Sequence, residues 1–175
     1  MFRHEKDAYD ITETFLLVHY YINWYLTGGI AVMEPGDASG TALWNPIKQT
    51  WSNNVISNIS EDLKSKLPDV KPATQSIGVI SSALAKRFGF APECKIGAGS
   101  GDNMYGAVGT GNIKPGIVTV SLGTSGTAYT FMKKPYVDQD GEIACFCDST
   151  GNYLPLLCIS NMAGGYNAFL KKKSL

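Results

Sequence analysis

Apolar and polar positions in the first part of the chain recur at helical spacing. Residues 11–26 form a segment that includes the longest apolar stretch, Phe15 to Leu26, which only His19 and Asn23 interrupt. Its pattern predicts one helix, which Thr12 or Thr14 caps and Gly28-Gly29 ends. Apolar residues cover most of its surface, so we expect this helix to be largely buried. It is too short and too polar to span a bilayer.

Turn-forming residues follow this helix. Pro35-Gly36-Asp37 and Ser39-Gly40 predict turns. Residues 52–67 form a polar amphipathic stretch, and residues 77–88 predict a short helix that Gly89 ends. The first half of the chain is therefore predicted to carry short helices between polar turns.

The pattern changes near Pro92, beyond which glycine is dense. We therefore predict a domain boundary between residues 1–91 and residues 92–175. Short alternating segments in the second part are typical of strands, and Pro155 moves one of them toward a sheet edge. The predicted elements are strands over 94–98, 117–122, 127–131 and 153–159 and helices over 103–108 and 161–173.

The composition is that of a globular protein without net charge. Of the 175 residues, 44% are hydrophobic and 17% charged, and 15 basic residues balance 15 acidic ones. This balance argues against nucleic-acid and anionic-membrane binding. The 4 cysteines lack CxxC spacing, so we expect no metal site and reduced thiols in a cytoplasmic protein. They are Cys94, Cys145, Cys147 and Cys158.

The first candidate site is the glycine-rich segment Gly97-Ala98-Gly99-Ser100-Gly101-Asp102-Asn103. Its glycines allow a ligand close to the backbone. Asp102 ends the loop and opens a predicted helix, which makes its carboxylate exposed and fixed in direction. Asn103 can donate and accept hydrogen bonds, which suits a polyol. An N-cap role explains Asp102 equally well, so the residues alone leave both roles open.

The second candidate site is Ser121-Leu122-Gly123-Thr124-Ser125-Gly126-Thr127, between two predicted strands. A tight turn there would expose backbone N–H groups and two hydroxyls, and such a nest suits phosphate oxygens. An ordinary hairpin turn is the better interpretation of this segment taken alone. The sequence has no GxxxxGK[ST] motif and no complete Rossmann fingerprint, so neither kind of nucleotide site is predicted.

A third candidate is Asp37-Ala38-Ser39-Gly40-Thr41, which would line a sugar pocket. A turn rich in side-chain hydrogen bonds is the commoner explanation. His19 is predicted to be a packed core side chain. Core packing is also favoured over sugar stacking for Trp24, Trp44 and Trp51.

The order of these segments resembles the FGGY carbohydrate kinases and, within that family, the xylulokinases. The resemblance covers the chain from about Thr12 onward and is specific at the level of the family. The segments that carry it are Leu26-Thr27-Gly28, Asp37-Ala38-Ser39-Gly40-Thr41 with Leu43-Trp44-Asn45, Gly99-Ser100-Gly101-Asp102-Asn103 with Gly106-Ala107-Val108-Gly109, and Ser121-Leu122-Gly123-Thr124-Ser125-Gly126.

The resemblance implies an α/β, actin-like kinase with two RNase-H-like domains, between which ATP and a sugar meet. Residues 1–91 would end the first domain and residues 92–175 would begin the second. Asp102 is implied to be the catalytic base and a substrate contact, with Asn103 as a second sugar contact. The resemblance places nucleotide-phosphate contacts on Gly123, Thr124, Ser125 and Gly126, and a looser nucleotide contact on Gly164.

The implied reaction is ATP-dependent phosphorylation of a sugar hydroxyl, from D-xylulose to xylulose 5-phosphate, with Mg²⁺ bridging the ATP phosphates. Alternatives are an inactive remnant that binds a sugar or a partner, or a kinase for gluconate, glycerol or ribulose. Residues 1–30 lack the Asp-x-Gly-Thr phosphate loop of the family. We therefore expect an internal or truncated portion that associates with the rest of the kinase or with itself. Relatives commonly carry Lys-Asp-Tyr where this chain has His19-Tyr20-Tyr21.

Overall fold

Two helices open the chain where the apolar pattern predicts one. The computed structural model describes residues 2–173, and its first helices are α1, Lys6–Ile11, and α2, Val18–Thr27. Residues 12–17 between them are not helical, because they bond to a distant segment: the Phe15 N–H donates to the Lys66 carbonyl at 2.8 Å. The predicted caps at Thr12 and Thr14 are therefore wrong, and Leu17 is the N-cap of α2.

The sequence predicted the end of α2 correctly but not its burial. Gly28 ends the helix in the left-handed conformation, with φ of 81°, which confirms the predicted stop. The prediction that the helix is largely buried is wrong. Tyr20 is the residue of α2 that is fully buried, whereas Val18 and Tyr21 are 83% and 54% exposed. One face of α2 packs against its own unit, and its other apolar residues face outward.

The chain divides into two compact units, residues 1–100 and residues 101–175. The first unit continues past the predicted boundary at residues 91–92, because its last strand pairs back onto an earlier one. After α2, its elements are β1 Val32–Met33, α3 Pro35–Gly40, β2 Trp44–Asn45, β3 Thr50–Trp51, α4 Asn53–Ile56, a 3₁₀ turn Leu63–Lys66, β4 Asp69–Val70, β5 Ser76–Val79, α5 Ser82–Phe88 and β6 Lys95–Gly97.

Short two-stranded pairings tie the first unit together. β1 and β4 are parallel, whereas β2–β3 and β5–β6 are antiparallel. The segment predicted as turns around Asp37 is instead helix α3, because the Glu34 side chain caps its N-terminus. The helix predicted over residues 77–88 begins only at Ser82, after strand β5, and Gly89 ends it as predicted.

Two apolar clusters are seen among the described residues of the first unit. One gathers Tyr9, Ile56 and Leu63, and the other gathers Ile80, Leu84 and Ala85. Trp51 packs on the first cluster, and Trp44 is buried edge-on against Trp51, as predicted for core tryptophans. The same prediction is wrong for Trp24, which is 39% exposed.

The second unit is a four-stranded antiparallel sheet with two helices. The strands lie in the order β7-β8-β10-β9. The predicted strands and helices of this unit are confirmed to within a residue or so at most ends, whereas β9 was not predicted. The elements are α6 Asp102–Gly109, β7 Val118–Leu122, β8 Gly126–Thr130, β9 Ile143–Cys147, β10 Tyr153–Ile159 and α7 Met162–Lys173.

Pro155 lies in a central strand, so its predicted position toward a sheet edge is wrong. β10 pairs with β9 on one side and with β8 on the other. On the β8 side, the ladder covers Leu156 to Ile159, and a separate bridge joins Tyr153 to Met132. Pro155 lies in the gap between them, where its missing N–H interrupts no ladder bond.

The two faces of this sheet differ because side chains alternate along each strand. On one face, Met104 and Ala107 of α6 pack against Tyr129 and Leu156. On the opposite face, Val118, Val120 and Leu122 are 64%, 55% and 73% exposed. The packed core of the unit therefore lies under α6. Within residues 2–173, no helix is long and apolar enough to cross a lipid bilayer.

Candidate active site

Asp102 is the first residue of α6 and not its N-cap. Gly101 is the N-cap, with φ of −64° and ψ of 158° and no side chain to contribute. The N-cap interpretation of Asp102 is therefore wrong. An acidic side chain in the first turn still interacts favourably with the positive end of the helix dipole. Asp102 is solvent-exposed, which leaves its carboxylate accessible to a ligand.

Asn103 holds one oxygen of the Asp102 carboxylate. Oδ1 of Asp102 accepts the backbone N–H of Asn103 at 2.7 Å and its side-chain Nδ2 at 3.1 Å. Within residues 2–173, Oδ2 of Asp102 takes part in no hydrogen bond. The carboxylate is thus fixed through one oxygen and open at the other.

Helix α6 lies along β8 through three successive contacts. The Thr127 hydroxyl donates to Oδ1 of Asn103 at 3.1 Å. The Tyr129 hydroxyl lies against Gly106. Burial is the main cause that raises the pKa of Tyr129, and the negative charge of Asp102 raises it further. Beyond the helix, Asn112 bonds the β8 backbone. Residue numbers rise together in both elements, so α6 and β8 run in the same direction.

The turn at residues 123–125 joins β7 to β8, as predicted, and Thr124 and Ser125 are exposed. A Cβ on Gly123 would lie 3.1 Å from the Ser125 carbonyl oxygen, so the turn is tight at that position. Its exposed hydroxyls and backbone N–H groups are donors of the kind that phosphate oxygens accept.

The beginning of α7 packs on this turn. The Ala163 N–H donates to the Gly123 carbonyl at 3.1 Å, and a Cβ on Gly126 would overlap the Met162 side chain. Gly164 follows in the first turn of α7, is exposed, and has open space at its Cβ position. The structure therefore brings the predicted residues Asp102, Asn103, Gly123 to Gly126 and Gly164 together in one unit.

The third predicted candidate has a structural explanation. Oδ2 of Asp37 accepts the Tyr20 hydroxyl at 2.9 Å and lies 3.4 Å from Nδ1 of His19. Tyr20 thereby makes a polar contact between α2 and α3. Burial lowers the pKa of His19, which is only half-buried. Asp37 thus joins two helices.

Sequence reasoning missed Glu34, whose side chain is fully buried. Its two carboxylate oxygens accept the N–H groups of Gly36 and Asp37, both at 2.7 Å. Burial nevertheless raises the pKa of Glu34 to about 7. The available signal was Glu followed by Pro35, an acidic cap before proline at the first helical position.

No three His, Cys, Asp or Glu side chains in residues 2–173 are grouped to hold a metal ion. A cavity of about 430 Å³ lies against the exposed face of the sheet and is lined mainly by apolar residues such as Val118, Ile143 and Leu157. It does not include Asp102 or the turn at residues 123–125.

Comparison with known proteins relates the whole chain to sugar kinases. The profile of the N-terminal domain of the FGGY family of carbohydrate kinases matches residues 1–109 and so includes Asp102 and Asn103. The xylulose kinase of Haemophilus influenzae is 43% identical over 149 residues, which are 84% of this chain and 30% of that enzyme. The chain thus spans about 30% of the length of this relative.

Two solved structures show the same fold. The ligand-bound xylulose kinase of Lactobacillus acidophilus matches with a TM-score of 0.86 and 23% identity, over 94% of this chain and 33% of that one. The gluconate kinase of Lactobacillus acidophilus matches with a TM-score of 0.87, at the same identity and coverage. The predicted fold class, the α/β actin-like fold of these kinases, is confirmed.

Proposed function

Because this chain belongs to the FGGY family of carbohydrate kinases, we propose that it is part of a kinase that transfers phosphate from ATP to a sugar hydroxyl. The observation that carries this proposal is the Asp102 carboxylate, held by Asn103 through Oδ1 and open at Oδ2. The Gly-Thr-Ser-Gly turn lies in the same unit, and Thr127, which directly follows it, donates a hydrogen bond to Asn103.

We propose D-xylulose as the substrate and xylulose 5-phosphate as the product. Xylulose kinases from bacteria, mammals and plants are among the relatives, and that of Haemophilus influenzae is 43% identical. The fold alone does not distinguish between these sugars, because the structure of the gluconate kinase matches this chain as well as that of the xylulose kinase does. Gluconate therefore stays the leading alternative substrate, with glycerol and ribulose behind it.

Asp102 acts as the base in this proposal. As the sugar oxygen forms its bond to the γ-phosphorus and the bond to the ADP oxygen breaks, the hydroxyl proton passes to Oδ2 of Asp102. Positioned proton acceptors of this kind contribute about 10²–10⁴-fold to the rate. The rest of the rate enhancement comes from positioning and from neutralising charge on the transferred group.

The turn at residues 123–125 is proposed to bind the nucleotide phosphates. Thr124 and the backbone N–H groups of the turn donate to phosphate oxygens, and Gly164 leaves room for the nucleotide beside α7. Mg²⁺ would neutralise charge on the phosphates and would be bound mainly by their oxygens, since the described residues form no metal cage.

We propose that turnover belongs to a longer protein and that this chain associates with the rest of that kinase. The exposed apolar residues of β7 and α2 support this, because large exposed apolar patches typically mark contact surfaces. An inactive remnant that binds sugar or a partner is the second candidate, which the same exposed patches favour.

ADP formation tests the proposal. The 175-residue chain would be assayed alone and in place of its matching segment within the Haemophilus influenzae enzyme. We expect D-xylulose-dependent ADP formation by the chimaera, loss of at least about 10²-fold in Asp102→Asn, and no loss in Asp140→Asn, an exposed loop carboxylate. Equal rates in the two variants would reject Asp102 as the base. A chimaera that binds sugar but forms no ADP would favour the inactive remnant.

A further inference from the structure

We propose that Thr127 is a positioning residue, whose hydroxyl sets the orientation of the Asn103 amide and, through it, of the Asp102 carboxylate. The proposal rests on the proposed function only for the statement that Asp102 is the base. The geometry concerns two consecutive hydrogen bonds: Thr127 Oγ1 to Asn103 Oδ1 at 3.1 Å, and Asn103 Nδ2 to Asp102 Oδ1 at 3.1 Å.

An asparagine amide has nearly the same shape in its two flipped orientations, and only its partners distinguish them. With the oxygen toward Thr127, the NH₂ group faces Asp102 and stabilises the carboxylate. With the amide flipped, its oxygen would face the Asp102 oxygen and the two acceptors would repel each other. The carboxylate can only accept and therefore needs the NH₂ group on its side, and the donating Thr127 hydroxyl holds the amide oxygen on the opposite side, which stabilises the same orientation.

Thr127 is well suited to hold this orientation. It lies in a central strand, paired with Ser121 on one side and with Cys158 on the other. Its backbone is therefore fixed by two neighbouring strands, and its side chain is half-buried. It also directly follows Gly126, where the β7–β8 pairing next to the phosphate turn ends. The proposed phosphate turn and the proposed base are thus linked by two hydrogen bonds.

Docking of α6 alone does not require the Thr127 hydroxyl. The helix is also held by the packing of Met104 and Ala107, by Tyr129 under Gly106, and by Asn112 beyond its end. Removing the hydroxyl should therefore leave the fold intact and change the environment of Asn103. A purely structural role predicts instead a loss of stability, with effects on the Asn103 amide that are independent of Asp102.

The test is nuclear magnetic resonance of the ¹⁵N-labelled 175-residue chain, observing the side-chain NH₂ of Asn103. Thr127→Val keeps the shape and removes the donor, Thr127→Ser keeps the donor, and Thr130→Val is the matched control, since Thr130 donates to the Ile117 carbonyl instead. We expect Thr127→Val to shift both NH₂ proton signals and to speed their exchange with water. Thr127→Ser and Thr130→Val should leave them near their original positions.

Asp102→Asn gives the second half of the test. If Thr127 acts through Asn103, the shifts caused by Thr127→Val and Asp102→Asn should not add in the double variant, because both weaken one hydrogen bond. Unchanged Asn103 signals in Thr127→Val, additive shifts, or a Thr127→Val chain that no longer folds would each overturn the proposal.

Turnover separates this proposal from the function. In the chimaera, Thr127→Val should lower kcat about tenfold with little change in KM, and Thr127→Ser should restore it. Should Asp102→Asn leave turnover intact while the Asn103 signals respond as expected, the base assignment fails and the Thr127 link stands. If Asp102→Asn abolishes turnover but the Asn103 NH₂ signals do not change in Thr127→Val, the proposed role of Thr127 fails and the proposed function stands.

Discussion

The Tyr129 hydroxyl occupies the space where a side chain on Gly106 would begin. A Cβ built on Gly106 would lie 2.8 Å from the Tyr129 oxygen, closer than real side chains approach each other. Tyr129 is buried among Met104, Ala107, Leu154 and Leu156, so it has little freedom to move aside. Glycine at position 106 therefore sets how closely α6 lies on the sheet.

Gly106→Ala is expected to destabilise the second unit by about 1–3 kcal/mol, because it overpacks a filled interface. Gly109→Ala, at the end of the same helix with open space around its Cβ position, should be neutral or slightly stabilising. Urea unfolding followed by far-ultraviolet circular dichroism would measure both. Adding Tyr129→Phe to Gly106→Ala should recover part of the loss, and no recovery would mean that the hydroxyl is not the obstacle.

Asn112 makes several polar contacts beside this interface, and its side chain is fully buried. It donates to the Tyr129 carbonyl at 3.0 Å and to the Thr119 hydroxyl at 3.1 Å, and it accepts the Phe131 N–H at 3.0 Å. Asn112→Leu keeps the branching of the side chain but leaves these partners unpaired, so we expect a loss on the order of 3 kcal/mol.

Asn152→Ala is the matched control for Asn112→Leu. The Asn152 side chain donates only to Thr150 in the described structure, in an exposed turn, so its loss should cost less than about 0.5 kcal/mol. Hydrogen exchange of the Phe131 amide should also accelerate in Asn112→Leu. Similar losses of stability in the two variants would show that the buried hydrogen bonds of Asn112 stabilise the fold no more than the exposed hydrogen bond of Asn152 does.

Tyr20→Phe removes the hydroxyl that bonds Asp37 at 2.9 Å. Because Tyr20 is fully buried, we expect a loss of about 1–2 kcal/mol in the first unit. Tyr21→Phe, next to it and 54% exposed, should change little. The 3 tryptophans all lie in the first unit, so their fluorescence reports its unfolding specifically. Equal effects at both positions would contradict a role for the hydroxyl bond.

Glu34 should make the first unit less stable as pH rises. Burial raises its pKa from the ordinary value of 4.5 to about 7, so the folded state keeps a proton that the unfolded state has released. The stabilisation is complete below pH 4.5 and is lost as pH rises toward about 7. Its full size is on the order of 3 kcal/mol, from the shift in pKa.

Glu34→Gln removes this titration while keeping an oxygen for the cap of α3. The difference in unfolding free energy, wild type minus variant, should therefore fall between pH 4.5 and pH 7.5 and then stay level. The lowered pKa of His19 acts in the opposite direction but is present in both proteins, so the subtraction removes it. A difference that grows with pH would mean that Glu34 caps the helix as an anion.

The second unit was largely predictable because its signals are local. The strands around the Gly-Thr-Ser-Gly turn alternate at period two, and the helix after Gly101 follows a glycine-rich loop. The candidate residues Asp102 and Asn103 emerged from the same local pattern. Their hydrogen-bond link to Thr127 did not, because the two partners lie 24 positions apart and no spacing rule connects them.

The first unit was harder to predict because long-range contacts override local preference. Residues 12–17 have an apolar pattern suited to a helix, yet the Phe15 N–H bonds the carbonyl of Lys66. The segment at Asp37 contains turn residues, yet a buried glutamate caps it into a helix. Burial of α2 was overestimated because apolarity does not say how many sides of a helix are covered.

Strand order in the second unit also has a consequence for how the sheet assembles. β7–β8 and β9–β10 are hairpins between neighbours in the chain, whereas β8–β10 joins the two hairpins at longer sequence separation. Pro155, which lacks an N–H, lies on that joining strand at the break in its ladder. We therefore expect the two hairpins to form early and the β8–β10 pairing between them to form last. The amides of that pairing should then be the first to open in native-state hydrogen exchange.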